Sequence, residues 1–292
     1  MSTKQEKYSP TDFILTPESY YTLAADKIYC SASQYLNIIG RPAVPGCEAR
    51  AMAELNGEYE QETTKAMLIG SILDTLWELD DLPIEEKIQI IADKYPECVS
   101  SRGATKGELK NEYKQAIQLY QRTLKDELFC QFMSGEKQVI MTGEIEGLPF
   151  KIKMDSYIPD VAIVDLKTTQ DASRNFRKYI ADSGNRETFY RAMGYDIQLA
   201  IYREIVRQNT GKTLRCYLAC IDKNSHPLPQ IIELTPKMLD DALETVKANI
   251  PTIKLLKSGE ITNYVRCEEC DYCRDTYKCK VLSAEEFETS DN

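Results

Sequence analysis

Apolar and polar positions alternate with period two in the middle of the chain and with a period near 3.6 on either side. In the run from Lys151, Lys153, Asp155 and Tyr157 alternate with Ile152 and Met154. Val161 to Val164 is apolar, after which Asp165 and Lys167 share one face and Leu166 takes the other. Such alternation is what a half-buried strand requires. It predicts strands over 136–146, 148–158 and 161–168, with Glu146-Gly147 as a hairpin turn. Residues 1–30 read as an irregular arm carrying Tyr8, Tyr20 and Tyr21. Ser31-Ala-Ser-Gln34 has the form of a capping box and starts a short helix. Residues 40–46 read as a loop. Helical periodicity predicts helices over 47–60, 66–79, 84–94 and 107–133, then 172–182 and 188–208. Strands over 213–222 and 229–234 lead into a helix over 236–257, where Pro236 is tolerated in the first turn.

This order fits an α/β fold with a mixed central β-sheet flanked by helices. We expect an N-terminal helical region (1–135), a core (136–258) and a cysteine-rich segment with an acidic tail (259–292). No internal repeat is visible.

Composition narrows the classes. At 292 residues and 42% hydrophobic, the chain can bury a sizeable core. No apolar run approaches a membrane span, so no membrane partner is expected. The N-terminus is polar and has no signal-peptide core, which makes a cytoplasmic protein the default. A net charge of -10 argues against non-specific coating of nucleic acid, although charge distribution matters more than the sum. Between 172 and 215 the balance reverses: Arg174, Arg177, Lys178, Arg186, Arg191, Arg203, Arg207, Lys212 and Arg215 outnumber the acids. A basic segment beside an acidic site suits a phosphodiester substrate; a solvated helix face is the plainer alternative. The single histidine, His226, lies beside Pro227 in a turn. Ser-His-Asp, Cys-His and histidine-rich metal chemistry are thereby nearly excluded, and carboxylates and lysines must carry any catalysis.

Two carboxylates on paired strands, Asp155 and Asp165, can hold a hard divalent cation through oxygen. Lys167 beside them can orient or deprotonate a metal-bound water, or neutralise the charge that builds on a phosphate. A lone D-x-K triplet would more simply be an exposed ion pair. Here a second acid, an apolar run and Thr168-Thr169 coincide with it.

The pattern Asp155-x9-Asp165-x-Lys167, with its Asp-Leu-Lys-Thr-Thr wording, resembles the PD-(D/E)xK nuclease superfamily, in particular its RecB/RecE branch and the YqaJ-like phage exonucleases. The resemblance extends to Tyr195, Gln198 and Tyr202, which share one face of the next helix; alone, that trio would be the polar edge of an amphipathic helix. Ser31 to Tyr35 and Cys47 to Glu58 also look like the phage group. The resemblance implies a restriction-endonuclease-like core and a metal-dependent DNA exonuclease. Asp74, Asp155, Asp165 and the carbonyl of Leu166 would bind one or two Mg²⁺ (or Mn²⁺). Lys167 would position the water, Gln198 would hold that water or a phosphate, and Tyr202 would support Gln198. Asp74, in Gly70-Ser-Ile-Leu-Asp74, stands where the branch places a histidine; Glu78 and Glu144 are fallback ligands. The family implies 5′→3′ digestion of linear duplex ends in phage-type recombination, leaving a strand for a single-strand annealing protein, and a possible homo-oligomer. The alternatives are an iron–sulfur RecB-type nuclease acting on single-stranded ends, and a non-catalytic DNA-binding or assembly module.

Cys267, Cys270, Cys273 and Cys279 crowd into thirteen residues with spacing C-x2-C-x2-C-x5-C. Without a secretory signal this reads as metal or iron–sulfur ligation, with reduced thiols as the plain alternative. In the RecB-type resemblance a 4Fe–4S cluster takes one upstream cysteine, matching Cys47, and a trio spaced C-x2-C-x5-C, matching Cys270, Cys273 and Cys279. Cys267 is then surplus or replaces Cys279. Zinc is the alternative to the cluster. Cys30, Cys98, Cys130, Cys216 and Cys220 are scattered and read as ordinary core or surface residues.

Overall fold

A computed structural model describes residues 13–79, 81–180 and 184–285; Tyr8 and most of the acidic tail lie outside them. Helix α1 (Leu23–Ile28) leads through α2 (Ala32–Ile39) into a tight hairpin, β1 (Gly40–Arg41) with β2 (Val44–Pro45), and then α3 (Glu48–Asn56). The Ser31 side chain caps α2 by accepting from the Gln34 N–H, as the capping pattern predicts. Helices α4 (Lys65–Glu78) and α5 (Ile84–Lys94) follow.

The long helix expected over 107–133 is two short ones, α6 (Lys114–Thr123) and α7 (Glu127–Phe132). Asp126 breaks the periodicity because its carboxylate accepts from the Phe129 N–H and starts a new helix. Gly107, at φ 89°, sits in a loop closed by backbone bonds between Ser100 and residues 107 and 108. Strands β3 (Val139–Ile145), β4 (Leu148–Met154), β5 (Ser156–Ile158) and β6 (Ala162–Thr169) form the predicted β region. The helix expected over 172–182 is not formed by its described residues, which make a turn and β7 (Lys178–Tyr179), paired with β8 (Arg186–Glu187). The helix expected over 188–208 is divided into α8 (Phe189–Ala192) and α9 (Tyr195–Thr210). Gly194 makes the break at φ 71°, and a Cβ there would meet Leu36 Cδ2 at 2.8 Å. The chain continues through β9 (Arg215–Asp222), β10 (Pro229–Leu234), α10 (Pro236–Ser258) and α11 (Asp271–Asp275).

The central sheet has the order β10-β9-β6-β5, with β6 and β9 parallel and both outer pairs antiparallel. It is the mixed sheet of the α/β expectation. Its two faces feed two cores. Ile163, Cys216, Leu218 and Cys220 pack with α2, α3, α9 and α10. Ala162, Val164, Leu166, Ala219 and Ile221 pack with α4, α6 and α7. The period-two alternation of β6 therefore turns Asp165 toward α9, on the same side as Ile163.

The N-terminal helices are stitched to the strands. Cys30 donates to the Pro149 carbonyl and accepts from the Lys151 N–H, so the chain entering α2 runs beside β4. No helix among the described residues is long and apolar enough to cross a membrane.

Candidate active site and thiol group

β4 and β5 are one strand bent at Asp155, and the bend creates the site. Ser156 pairs with Val164, so regular pairing would next bring Met154 opposite Leu166. Instead Asp155 Oδ2 accepts from the Leu166 N–H at 2.9 Å. The carboxylate replaces the missing ladder acceptor and is pinned to the neighbouring strand. Its other oxygen accepts from Gln138 Nε2 at 3.2 Å. The bend also ends the simple alternation: Ser156 and Tyr157 are both buried.

Asp165 is 2% exposed. Its Oδ1 accepts from Gln198 Nε2 at 2.8 Å, and its Oδ2 lies 2.6 Å from the Lys167 ammonium. No other group is directed at Oδ2 among the described residues. Gln198 also donates to the Tyr202 hydroxyl at 3.2 Å, and Lys167 Nζ lies 5.1 Å from the centre of the Tyr195 ring. The three polar positions of α9 thus meet the D-x-K pair from the opposite side. Burial pushes the Asp165 carboxyl up to about 6, against the lowering pull of Lys167 and with Asp155 adding to the rise. Asp74 reaches the same pocket from α4. Burial first, then the charge of Asp155, raises its carboxyl well above the ordinary range. Burial pulls Lys167 down, but Asp165 and Asp155 outweigh it and hold it firmly as an ammonium. Tyr202 is pushed up by burial and then by Asp165, which keeps it a neutral phenol.

These groups line one pocket of about 600 Å³. It contains Asp74, Asp155, Asp165, Lys167, Gln198 and Tyr202, and also Tyr20, Tyr21, Gln138 and Lys153. Periodicity gives Gln138 no distinction, and only its contact with Asp155 shows its part. Glu78 also lines the pocket, whereas Glu144 is exposed on β3 and does not. A set of hard carboxylate oxygens, one of them buried with only an ammonium beside it, fits a divalent cation such as Mg²⁺.

The basic segment is divided. Arg203, Arg207, Lys212 and Arg215 are ion-paired with Asp240, Glu204, Asp160 and Glu233. Arg174 and Arg177 instead line a second cavity of about 380 Å³ with Phe176 and Tyr190.

Far along the chain, four thiols converge. Cys47, Cys267, Cys270 and Cys273 bring their sulfurs within 4.8 Å of one another. Cys47 and Cys273 are 3.5 Å apart although 226 residues separate them. Cys279 is exposed and stands outside this group, so the structure brings together C-x2-C-x2-C and Cys47, not the C-x5-C member. The reason is local. Glu268 takes a positive φ of 62°, which turns the backbone so that the Cys270 N–H points at Cys267 Sγ, 3.4 Å away. The Cys47 sulfur caps α3 by accepting from the Arg50 N–H at 3.4 Å. Burial raises the Cys267 thiol, but the N–H groups of Cys270 and Glu269 outweigh it and bring it down to about 7. The segment is docked by bonds from Ala49 N–H to the Val265 carbonyl and from Val265 N–H to Glu48. Four thiolates fit zinc or a 4Fe–4S cluster by donor chemistry.

Comparison with known proteins agrees with this geometry. The family model described as "PDDEXK-like domain of unknown function (DUF3799)" matches residues 31–276. The crystal structure of a protein described as a "putative exonuclease", from Eubacterium rectale, is 41% identical over 96% of this chain and 100% of that one, with a TM-score of 0.85. The structure of SSO0001 covers 70% of this chain and 83% of its own at 12% identity, with a TM-score of 0.28, and bears no argument. No curated protein matches. The bent strand carrying Asp155, the D-x-K of β6 and the extent of these matches lead to one conclusion: the chain belongs to the PDDEXK-like DUF3799 family.

Proposed function

We propose that this chain is a metal-dependent nuclease that hydrolyses DNA at strand ends. The observation that carries the reading is the convergence of Asp74, Asp155, Asp165, Lys167 and Gln198 on one pocket. The coarser part, a nuclease, is also supported by the family and by the likeness to the Eubacterium rectale protein.

Asp74, Asp155, Asp165 and the Leu166 carbonyl are the residues that would hold Mg²⁺ or Mn²⁺. A cation there would activate water and stabilise the leaving oxygen. The protein's own groups do the rest. The Leu166 N–H and Gln138 fix the rotamer of Asp155. Gln198, steadied by Tyr202, fixes Asp165 and turns its amide into the pocket. Lys167, held protonated by the two acids, donates to the attacking water or to a non-bridging phosphate oxygen. Hydrolysis forms the phosphorus–oxygen bond to water and breaks the bond to the sugar oxygen, which leaves with a proton. This is positioning and charge stabilisation in a preorganised site.

The reading extends to 5′→3′ digestion of linear duplex in phage-type recombination, with an annealing protein as partner; single-strand end processing is the second reading. The four thiols would act as a staple. A single zinc ion, with Zn–S near 2.3 Å, asks for sulfurs about 3.8 Å apart, close to the spacing of Cys47 and Cys273. A 4Fe–4S cluster, implied by the RecB-type resemblance, would need them to spread. Linear DNA labelled separately at each end, incubated with Mg²⁺ and with EDTA, tests the function. We expect metal-dependent loss of one label first; equal, metal-independent or absent loss would overturn the reading.

A further inference from the structure

β4 and the bend that follows it put three alternate residues to different uses. Lys151 is fully buried, its ammonium 2.7 Å from Asp26 and bonded to the Tyr20 carbonyl. Two positions on, Lys153 faces the pocket. Two further on is Asp155. Lys151 therefore clamps the arm before α1 onto the strand that carries the site. The clamp fixes two tyrosines at the pocket wall. Tyr20 is 6% exposed and Tyr21 is 72% exposed, and their rings meet edge-on at 5.0 Å. The turn before them is held by the Thr16 N–H donating to Ser19 Oγ at 2.7 Å, and Thr22 caps α1 through the Ala25 N–H.

Lys153 Nζ lies 4.6 Å from the Tyr21 ring centre and 5.6 Å from that of Tyr20. Among the described residues it has no hydrogen bond or ion pair, although its charge is felt at Asp74. An ammonium without a hydrogen-bond or ion-pair partner lies over one face of a largely exposed aromatic ring at the edge of an acidic pocket; the ammonium and the ring's open face match the parts of a nucleotide, a phosphate and a base face. The pocket, at about 600 Å³, has the size of a small-ligand site and cannot enclose a continuous duplex.

We infer that Tyr21 and Lys153 form an end-recognition subsite, in which Tyr21 stacks on the terminal nucleobase of a DNA strand and Lys153 holds a phosphate beside it. The inference rests on the nuclease reading and names how that site takes its substrate. Stacking on one face is indifferent to base identity, so the subsite selects an unpaired end and not a sequence.

The test uses the full chain in a Lys167→Ala background, which keeps DNA intact during binding. The probe is a fluorescent single-stranded oligothymidylate, with and without an abasic terminal nucleotide at either end. Tyr21→Leu is expected to weaken binding roughly tenfold, the range found for one stacked base, and Tyr21→Phe to restore it. The abasic end should weaken binding to the parent by the same factor and cost Tyr21→Leu nothing further, as a coupled pair requires. Lys153→Gln should lower the salt dependence of binding by about one phosphate contact. In the otherwise unsubstituted enzyme, Tyr21→Leu should raise KM with little change in kcat. Unchanged binding by Tyr21→Leu, or equal sensitivity of both forms to the abasic end, would overturn the subsite while leaving the nuclease reading intact. A wild-type chain that neither binds nor digests DNA would overturn both.

Discussion

Replacing Cys47 by serine opens the link between the start of α3 and the C-terminal segment. The four sulfurs join positions 226 residues apart in the case of Cys47 and Cys273. For a covalent cross-link, the entropy removed from the unfolded chain by closing such a loop is worth about 5 kcal/mol. A bound metal ion acts as the same kind of link if it is retained only in the folded state. The whole of that figure is not expected. The Ala49–Val265 and Val265–Glu48 bonds and the Tyr59–Tyr272 ring contact also hold the segment. A loss of about 2–5 kcal/mol is therefore the working range. With an unfolding entropy of about 2.1 cal/mol/K per residue, a chain of 292 residues loses about 3–8 °C in Tm per such change. The assay is thermal unfolding of protein prepared without oxygen, with metal content and visible absorbance measured on the same sample. Cys47→Ser and Cys273→Ser should both lose bound metal and fall in Tm, and Cys279→Ser should do neither. Brown protein with blue-edge absorbance identifies iron–sulfur; colourless protein with one zinc per chain identifies zinc. Full metal content and unchanged Tm in Cys47→Ser, or loss of metal in Cys279→Ser, would show that these four sulfurs are not the staple.

The remaining predictions concern the pocket. Asp165 has its folded pKa raised to about 6, above its unfolded value. Its contribution to stability is therefore fully present below the unfolded pKa and is lost as pH rises through about 6. In EDTA, the stability of the wild type relative to Asp165→Asn should rise as pH falls from 7 to 5, by up to about 1.4 kcal/mol per unit; urea unfolding reads this, and a flat difference speaks against the burial argument. In Mg²⁺, binding needs the ionised acids, so affinity measured by titration should fall over the same interval. Gln198→Ala should lower kcat about 10- to 100-fold with KM little changed, because it removes orientation at the reacting centre and not a distant contact. Asp74→Asn should raise the Mg²⁺ concentration needed for half-maximal digestion; an unchanged requirement would remove Asp74 from the ligand set.

Part of the site is legible from short-range rules, whereas Asp74 and the roles of Gln198 and Tyr202 follow only from the family resemblance. Period two puts Asp165 and Lys167 on one face of β6, and the helical spacing of Tyr195, Gln198 and Tyr202 puts them on one face of α9. The bend at Asp155 was not legible: it depends on its carboxylate finding the Leu166 N–H eleven residues on. Helix breaks at Asp126 and Gly194 were missed because the apolar period runs through them, while capping and a close approach to Leu36 decide the backbone. The thiol set was legible as a cluster, but its membership turned on the positive φ of Glu268, which spacing does not encode. Basic residues from 203 to 215 read either as a substrate-facing wall or as a solvated helix face, and spacing does not show that they are ion-paired with acids from α9 itself, β10, α10 and the turn before β6. Lys153 showed as an alternating polar position, but its pairing with Tyr20 and Tyr21 required the arm to fold back onto β4.

The most direct measurement compares wild type, Lys167→Ala and Asp165→Asn on end-labelled linear DNA in Mg²⁺, with DNA binding measured in parallel. Wild type should release label only with the metal, and both variants should lose digestion by at least about a hundredfold while still binding DNA. Undiminished release of label by Lys167→Ala would rule out this pocket as the site of hydrolysis.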